Sequence, residues 1–368
     1  MNIKLIDCTF RDGGYYNHWD FEEELIKEYL LAMESIKIDF VEIGFRSLKN
    51  DNFNGALAYS SDLFLKKISI PKGLRKKIGV MINGSEIANP STQLKNLKKL
   101  FRPKVNSPVS LVRVACHVDE FYDCLPASKW LKKQGYLVGF NIMQVADRSI
   151  KEINQLANAA VSFPIDVLYF ADSMGSLDSN KLENIINAFK KNWKKDLGIH
   201  THDNIGQAVN NSIQAIKSGI KWVDSTVTGM GRGPGNAQTE YIILALANYR
   251  KKQLNLVKIL RLIDKYFKPM KQRYNWGISP FYFLAGQHNI HPSYIQYMVQ
   301  DSRYSEEDIL SVIDFLKVDG GKKFNLKTLE TARHFYSKTP KGKWSPQTLI
   351  RNKTVLILGG NSDVGKSL

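Results

Sequence analysis

The sequence predicts a (β/α)₈ barrel, because eight short apolar runs alternate with eight longer amphipathic segments along residues 1–250 of the 368-residue chain. The apolar runs are nearly continuous, which is typical of strands buried on both faces of a parallel sheet. Eight strand–helix units in about 250 residues match the number and size of such a barrel, and a doubly wound open sheet is the alternative.

Each predicted strand is followed by a predicted helix. The strands are expected at 3–7, 39–44, 77–82, 110–115, 137–143, 166–172, 197–200 and 222–227. The helices are expected at 21–35, 54–67, 91–101, 119–134, 149–161, 178–193, 205–218 and 237–250. The segment 178–193 illustrates the pattern, since Asp178 or Ser179 can cap its N-terminus and its apolar residues recur at helical spacing.

Polar residues stand at the ends of the predicted strands, and the C-terminal ends of barrel strands carry the active site. They are Asp7, Arg11, Asp12, Glu42, Arg46, Asn83, Arg113, His117, Asn141, Gln144, Asp172, His200, His202 and Thr226. Any one of them can be a hydrogen-bonded structural group, but a ring of polar ends on apolar strands favours a site. We assign substrate binding to Glu42, Arg113, Asn141 and Asp172.

The segment "GIHTHDN" places two histidines, His200 and His202, two residues apart at the end of the seventh strand. Alternate strand residues face the same side, so both imidazoles face one point, although such a pair alone is slightly more typical of hydrogen-bonded histidines near a turn. Asp12 is the best third ligand, because strands one and seven are near neighbours in a closed barrel. One carboxylate and two imidazoles suit a divalent ion, with Mn²⁺ expected and Mg²⁺ or Zn²⁺ as alternatives.

A glycine-rich loop, "GMGRGPGNAQTE", follows the eighth strand. Glycine lets the backbone approach a ligand closely, so Gly231 and Gly233 are expected to contact the substrate, and a flexible turn is the alternative. Asn236 in the same loop can supply an oxygen ligand or orient one.

The composition excludes several function classes. Lysine and arginine number 52 against 35 acidic residues, a net charge of +17, but the basic clusters at 65–77 and 189–195 are typical of helix faces and helix ends. We therefore expect an anionic small-molecule partner rather than nucleic acid or a membrane, and a homo-oligomer is compatible with the sequence. The three cysteines show no zinc-site spacing and indicate a reducing cytoplasm.

Four motifs together resemble one enzyme family. "DCTFRDGG", "VEIGFR", "GIHTHDNIGQA" and "GMGRGPGNAQTE" are similar in sequence and order to the DRE-TIM metallolyases. That family includes 4-hydroxy-2-oxovalerate aldolase, isopropylmalate and homocitrate synthases and hydroxymethylglutaryl-CoA lyase. The resemblance covers roughly residues 1–300 and implies that Asp12, His200 and His202 bind the metal. It also implies that Arg11 stabilises an enolate, and it matches Asn236 to a ligand that only some members use.

Within that family, the metal-dependent pyruvate aldolases look nearest. The loop at 228–240 lacks the cysteine of the acyl-CoA lyase, and no long regulatory domain of the synthase type is found. The resemblance therefore implies a lyase that cleaves or forms a 4-hydroxy-2-oxo acid, with a small anionic 2-oxo acid and an aldehyde as partners. A Claisen-type synthase that uses acetyl-CoA is one alternative, and a non-catalytic basic binding module is another.

The general base departs from the family pattern. The aldolase carries a histidine three residues after its metal aspartate, where this chain has Tyr15. Tyrosine is a poor base unless nearby cations favour its phenolate. The candidates for the base are Tyr15, Tyr16, His18, His288 and His291.

Three domains are predicted along the chain. Residues 1–250 form the catalytic barrel, 251–345 form a helical extension over its mouth, and 346–368 begin a nucleotide-binding domain that is cut short. The segment "GNSDVGKS" satisfies the P-loop pattern G-x-x-x-x-G-K-[ST]. It equally resembles the opening of a short-chain dehydrogenase, which we favour modestly. Either way, the chain is expected to belong to a longer polypeptide.

Overall fold

Eight parallel strands form a closed barrel in the computed structural model, which describes residues 3–50, 53–250, 254–318 and 320–336. The strands are β1 (Lys4–Asp7), β2 (Phe40–Phe45), β3 (Ile78–Asn83), β4 (Val109–Cys116), β5 (Leu137–Ile142), β6 (Val167–Asp172), β7 (Asp196–Thr201) and β8 (Trp222–Ser225). β1 pairs with both β2 and β8, so the sheet has no open edge. The predicted barrel is confirmed, and the open sheet is excluded.

Helices connect the strands and continue beyond the barrel. They are α1 (Thr9–Gly13), α2 (Glu23–Ser35), α3 (Ala56–Tyr59), α4 (Asp62–Lys67), α5 (Pro90–Leu100), α6 (Val118–Cys124), α7 (Ala127–Lys133), α8 (Ile150–Val161), α9 (Ser179–Asn192), α10 (Ala208–Lys217), α11 (Thr239–Arg250), α12 (Val257–Leu262), α13 (Lys268–Tyr274), α14 (Pro280–Gln287), α15 (Pro292–Gln300), α16 (Glu306–Val318) and α17 (Leu326–Tyr336). None of the helices in the described ranges is both long and apolar enough to cross a membrane.

Two of the predicted helices are interrupted. The segment 54–67 divides into α3 and α4 at Ser60, whose backbone has a left-handed φ of 36°. The segment 119–134 divides into α6 and α7 at Pro126, which has no backbone N–H to donate to the preceding turn. The short helix α1 was not predicted, and it is the element that carries Arg11 and Asp12.

The barrel interior is apolar in its lower layer, nearer the N-terminal ends of the strands, and charged in its upper layer, nearer their C-terminal ends. Its lower layer contains Ile6, Phe40, Leu111, Val167, Tyr169 and Trp222, which form one buried cluster. Because strand side chains alternate, residues two positions further along the same strands face the same interior at the C-terminal end. Glu42, Arg113 and Asp224 occupy such positions on β2, β4 and β8. The alternation of side chains along the strands thus places a layer of buried polar residues above the apolar layer, on the side of the barrel mouth.

The helices after the barrel contact its C-terminal loops. Asn204, which follows β7, donates a side-chain hydrogen bond to the Tyr282 carbonyl of α14 at 3.3 Å. The Ser176 hydroxyl lies 3.2 Å from Asn289 Oδ1, beyond the end of α14. Helices α14 to α17 also share a small core of their own. The division at 250 stays a prediction, and the predicted nucleotide-binding segment at 346–368 lies outside the described residues.

Gly198 on β7 tests the close packing of the interior. A Cβ at Gly198 would overlap the ring of Tyr169, whereas a Cβ at Gly79 on β3 would meet nothing closer than 3.5 Å. We expect Gly198→Ala to lower the free energy of unfolding by about 1–3 kcal/mol, because overpacked cores must distort. The matched control Gly79→Ala should be neutral or stabilising by up to about 1 kcal/mol, since glycine weakens a strand. Urea denaturation measures both, and equal stabilities for the two variants would contradict this packing.

Candidate metal and substrate site

Three side chains with metal-binding atoms meet at the C-terminal end of the barrel. Asp12 lies on α1 directly after β1, while His200 and His202 come from the end of β7, and β8 lies between those two strands. Asp12 Oδ2 is 3.7 Å from His200 Nε2 and 3.8 Å from His202 Nε2. The two Nε2 atoms are 3.3 Å apart, and all three residues are buried. The structure therefore brings together the three predicted ligands.

The hydrogen bonds of the two imidazoles decide their tautomers. His200 Nδ1 lies 2.9 Å from Asp224 Oδ2, and His202 Nδ1 lies 3.1 Å from the Ser173 carbonyl. Both partners are acceptors, so each Nδ1 carries the proton and each Nε2 presents a lone pair to Asp12. Burial also lowers the pKa of His200, which favours the neutral ring. Three acceptor atoms that face one another repel unless a cation lies among them, so this donor set fits a divalent metal ion.

Arg11 is fixed beside this cluster by two carboxylates. Its Nη1 is 2.6 Å from Asp12 Oδ1, and its Nε is 2.8 Å from Glu42 Oε1. Burial works to lower the pKa of Arg11, but the nearby negative charges, that of Asp12 foremost, together outweigh burial and the pKa is raised. The remaining nitrogen, Nη2, is buried and has no hydrogen-bond partner among the residues that the structure describes. It is a charged donor that is oriented but unused.

Glu42 and Arg113 lie beneath the site and are completely buried. Arg113 Nε is 2.6 Å from Glu42 Oε2, and Arg113 Nη1 is 2.8 Å from Asp224 Oδ2. Because both Glu42 oxygens accept from arginines, neither residue faces open space, and we expect them to position Arg11 and His200. They were predicted to bind substrate, which this geometry does not support.

Asp224 was missed by the sequence analysis. It connects Arg113 to His200 and so completes a closed ring that also includes Asp12, Arg11 and Glu42. The available signal was its alternation with the apolar Trp222, which places a carboxylate on the interior face of a buried strand. With both imidazoles neutral, the ring holds three carboxylates and two guanidinium groups, a net charge of −1 that a divalent cation would reverse.

Asn236 and Gly231 close the cluster from the glycine-rich loop. Asn236 Nδ2 donates to Asp12 Oδ2, while its Oδ1 is buried without a partner in the described part of the chain and is available to bind a cation. A Cβ on Gly231 would lie 2.7 Å from Asp12 Oδ2, so only glycine lets the loop pack against the aspartate. Gly231 therefore contacts a candidate metal ligand.

Gly233 joins the loop to its surroundings. It has a φ of 65°, donates its N–H to Gln296 Oε1 on α15 at 3.1 Å, and accepts from the Tyr16 hydroxyl at 3.1 Å. These contacts anchor the loop to the covering helices, and they give Gly233 a structural role beside the predicted substrate contact.

Asn141 and Asp172 differ in what they can still bind. Asn141 is buried on β5, and its Oδ1 has no hydrogen-bond partner within residues 3–50, 53–250, 254–318 and 320–336. Asp172 instead accepts from the backbone N–H groups of Ser176 and Leu177, at 3.1 and 3.2 Å. Burial raises the pKa of Asp172 to about 6. Asn141 keeps an open valence for a substrate, whereas Asp172 holds the loop after β6.

Two other polar strand ends also have structural partners. Asp7 Oδ1 accepts from the Tyr29 hydroxyl at 2.5 Å, and Arg46 Nη2 lies 2.8 Å from Asp62 Oδ1. Both side chains are thus engaged with helices that surround the barrel.

Comparisons with known proteins identify the family of this chain. The HMGL-like family model matches residues 100–265. The solved N-terminal domain of a provisionally assigned aldolase from Bacteroides vulgatus is 30% identical, covers 82% of this chain and 98% of its own, and superimposes with a TM-score of 0.73. The chain belongs to the HMGL-like family.

Two further proteins are also similar to this chain. The 4-hydroxy-2-oxovalerate aldolase of Carboxydothermus hydrogenoformans is 28% identical over 87% of this chain and 94% of its own length. The HMG-CoA lyase of Bacillus subtilis has the same fold, with a TM-score of 0.59 at 17% identity over 78% of this chain and 98% of its own.

Tyr15 stands at the rim of this HMGL-like site. It is 38% exposed, and its ring packs edge-on against Trp19 at 4.9 Å between centroids. Its ring centre also lies 6.3 Å from that of Phe45 at the end of β2, and the Arg11 guanidinium lies 6.0 Å from the same Phe45 ring. His18, the neighbouring candidate, is exposed and contributes a backbone carbonyl to Gly55 at 2.7 Å. Tyr15 is therefore better placed than His18 to meet a substrate.

His291 reaches the same rim from the covering helices. It caps α15, and its Nδ1 accepts from the Ser293 N–H at 3.3 Å, so the neutral ring carries its proton on Nε2. Burial and the nearby charge of Arg232 lower the pKa of His291 to about 2. His291 is consequently a neutral hydrogen-bond donor, while His288 is exposed.

His200→Ala tests the metal assignment. Loss of one of three protein ligands should weaken Mn²⁺ binding by more than about 100-fold, since even a group behind a ligand contributes about 10- to 100-fold. The matched control is the exposed His288→Ala. Elemental analysis after dialysis and a Mn²⁺ titration measure the effect. Full metal occupancy in a folded His200→Ala protein would show that the ligands lie elsewhere.

Proposed function

We propose that this protein is a divalent-metal-dependent aldolase that cleaves a 4-hydroxy-2-oxo acid into pyruvate and an aldehyde, or forms it from them. The observation that carries the proposal is the unused Nη2 of Arg11 beside the three lone pairs of Asp12, His200 and His202. A cation site next to a buried, oriented positive charge suits the formation of an enolate. Relatives that are named 4-hydroxy-2-oxovalerate aldolase support this choice.

The metal would be held by Asp12, His200 and His202, with Asn236 Oδ1 as a further oxygen ligand. When bound, a divalent ion would polarise the 2-oxo group of the substrate. Two nitrogen and two oxygen donors suit Mn²⁺, which we propose as the ion, and Mg²⁺ and Zn²⁺ are the alternatives to test.

Arg11 supplies the fixed charge. Asp12 and Glu42 hold two edges of its guanidinium, so the group does not reorganise when negative charge develops on the substrate oxygen. Nη2 donates to that oxygen, and a donor of this kind is typically worth about 10²- to 10³-fold in rate.

The part of the site that faces the C4 oxygen of the substrate takes part in the proton transfer. In cleavage, a base takes the proton of the C4 hydroxyl and can return it to C3, the C4 oxygen becomes the carbonyl oxygen of the aldehyde, and the electron pair of the C3–C4 bond passes to C3 as the aldehyde leaves. Protonation of the resulting enolate at C3 gives pyruvate. We propose that Tyr15 contacts the C4 oxygen without being its sole base, and that His291 donates a hydrogen bond to the same oxygen through Nε2–H.

The two alternative functions predict different measurements. A Claisen-type synthase would release free thiol from acetyl-CoA and a 2-oxo acid, and a binding module would retain neither metal nor turnover. We expect metal-loaded protein to release pyruvate from a panel of 4-hydroxy-2-oxo acids and to exchange the methyl protons of pyruvate with D₂O. Thiol release, or no exchange at all, would overturn the aldolase assignment.

Arg11→Lys tests the enolate role. Lysine keeps the charge but cannot hold Asp12, Glu42 and the substrate oxygen with one rigid fork. We expect normal Mn²⁺ binding and a fall of about 100-fold in methyl-proton exchange, within the range for a lost oxyanion donor. Exposed Arg303→Lys is the matched control. An unchanged exchange rate in Arg11→Lys would contradict the role.

Tyr15→Phe tests the proposed contact between the Tyr15 hydroxyl and the C4 oxygen. Removing the hydroxyl should slow cleavage by about 10-fold, the effect of one lost hydrogen bond, and leave methyl-proton exchange intact because exchange does not involve C4. The companion variant His291→Asn keeps an N-cap for α15 and removes the imidazole. Loss of exchange together with cleavage in Tyr15→Phe would instead indicate damage to the metal cluster.

A further inference from the structure

Arg232 stands in the middle of the glycine-rich loop, between the two glycines that are tied down. Gly231 packs against Asp12, and Gly233 is held by Gln296 and by the Tyr16 hydroxyl. The Arg232 guanidinium lies 5.5 Å from the centre of the Tyr15 ring. The backbone on both sides therefore holds this cation at the entrance of the site.

Arg232 has no acidic partner in the described part of the chain. No carboxylate there lies within 4.0 Å of its guanidinium, and its Nε is buried without any hydrogen-bond acceptor. By contrast, Arg11, Arg46 and Arg113 each pair with a carboxylate. A partly buried guanidinium that lacks an anion is unfavourable, and its planar fork matches a carboxylate or phosphate.

The depth of Arg232 separates it from the metal cluster. Asp12, His200 and His202 are at most 5% exposed, whereas Tyr15, whose ring centre lies 5.5 Å from the Arg232 guanidinium, is 38% exposed. A molecule bound to the metal cluster occupies the buried bottom of the site, which we call its floor. A second molecule that enters from solvent passes Tyr15 and Arg232. His291 lies beside the same loop, because its neighbour Pro292 would be 3.0 Å from a Cβ on Gly233.

We propose that Arg232 selects an aldehyde that carries its own anionic group, a carboxylate or a phosphate. This inference rests on the proposed aldolase function and names the class of its second substrate. The guanidinium pairs with the anion of the aldehyde, while Tyr15 and His291 contact its carbonyl oxygen. The 2-oxo acid, bound at the floor, does not contact Arg232.

The test compares matched aldehydes in the synthetic direction with pyruvate and Mn²⁺. Succinic semialdehyde is paired with butanal, and glyceraldehyde 3-phosphate with glyceraldehyde, so that each pair differs in charge. We expect wild-type kcat/KM to favour the better anionic aldehyde by about 100-fold over its neutral partner, as a charge-assisted bidentate pair predicts. In Arg232→Gln the ratio should fall to about 1, while Arg232→Lys should retain part of it.

Arg148→Gln provides the matched control. Arg148 is also a partly exposed arginine, but it pairs with Glu152 at 3.6 Å, so its variant should keep the wild-type ratio. A wild-type enzyme that prefers both neutral aldehydes would overturn the proposal. So would a rise in the KM of pyruvate in Arg232→Gln, which would place the 2-oxo acid on this arginine. Absence of metal-dependent exchange in wild-type protein would instead contradict the aldolase function itself, and this inference with it.

Discussion

The ring of charges inside the barrel is the interaction on which the rest of the site depends. Its members are Asp12, Arg11, Glu42, Arg113, Asp224 and His200. Removing one partner of a buried ion pair typically costs about 3–5 kcal/mol, because the other charge is left uncompensated. Each member therefore has little freedom to turn away. The ring orients the free nitrogen of Arg11 and sets the tautomer of His200 before any ligand binds.

A closed barrel is what makes this ring feasible. Glu42, Arg113 and Asp224 come from β2, β4 and β8, and they meet only because the strands encircle one interior. The apolar layer beneath them, which includes Tyr169 and Trp222, keeps water from the guanidinium of Arg113. The ring keeps a net charge of −1, which a divalent cation bound beside Asp12 and His200 would reverse. The buried charges inside the barrel and the candidate metal site at its mouth thus form one connected set of ion pairs and hydrogen bonds.

The glycine-rich loop connects three parts of the molecule within a few residues. Gly231 touches Asp12, Arg232 faces the entrance, and Gly233 binds α15 through Gln296. Movement of the covering helices would therefore be transmitted to a residue that touches the metal cluster.

The sequence by itself determined the barrel and the location of its mouth. Strand periodicity and the polar strand ends were local patterns, so the eight strands and the meeting of Asp12, His200 and His202 followed from them. Only the tertiary structure decided what each polar strand end does. Glu42 turned out to be saturated by Arg11 and Arg113, Asp172 to hold its own loop, and Asp224 to orient His200. Arg113 is 71 residues from Glu42 and 111 from Asp224 in the chain. Barrel closure, rather than any local pattern, decides which partners a side chain has. It therefore also decides which hydrogen-bonding atoms of that side chain remain free for a substrate.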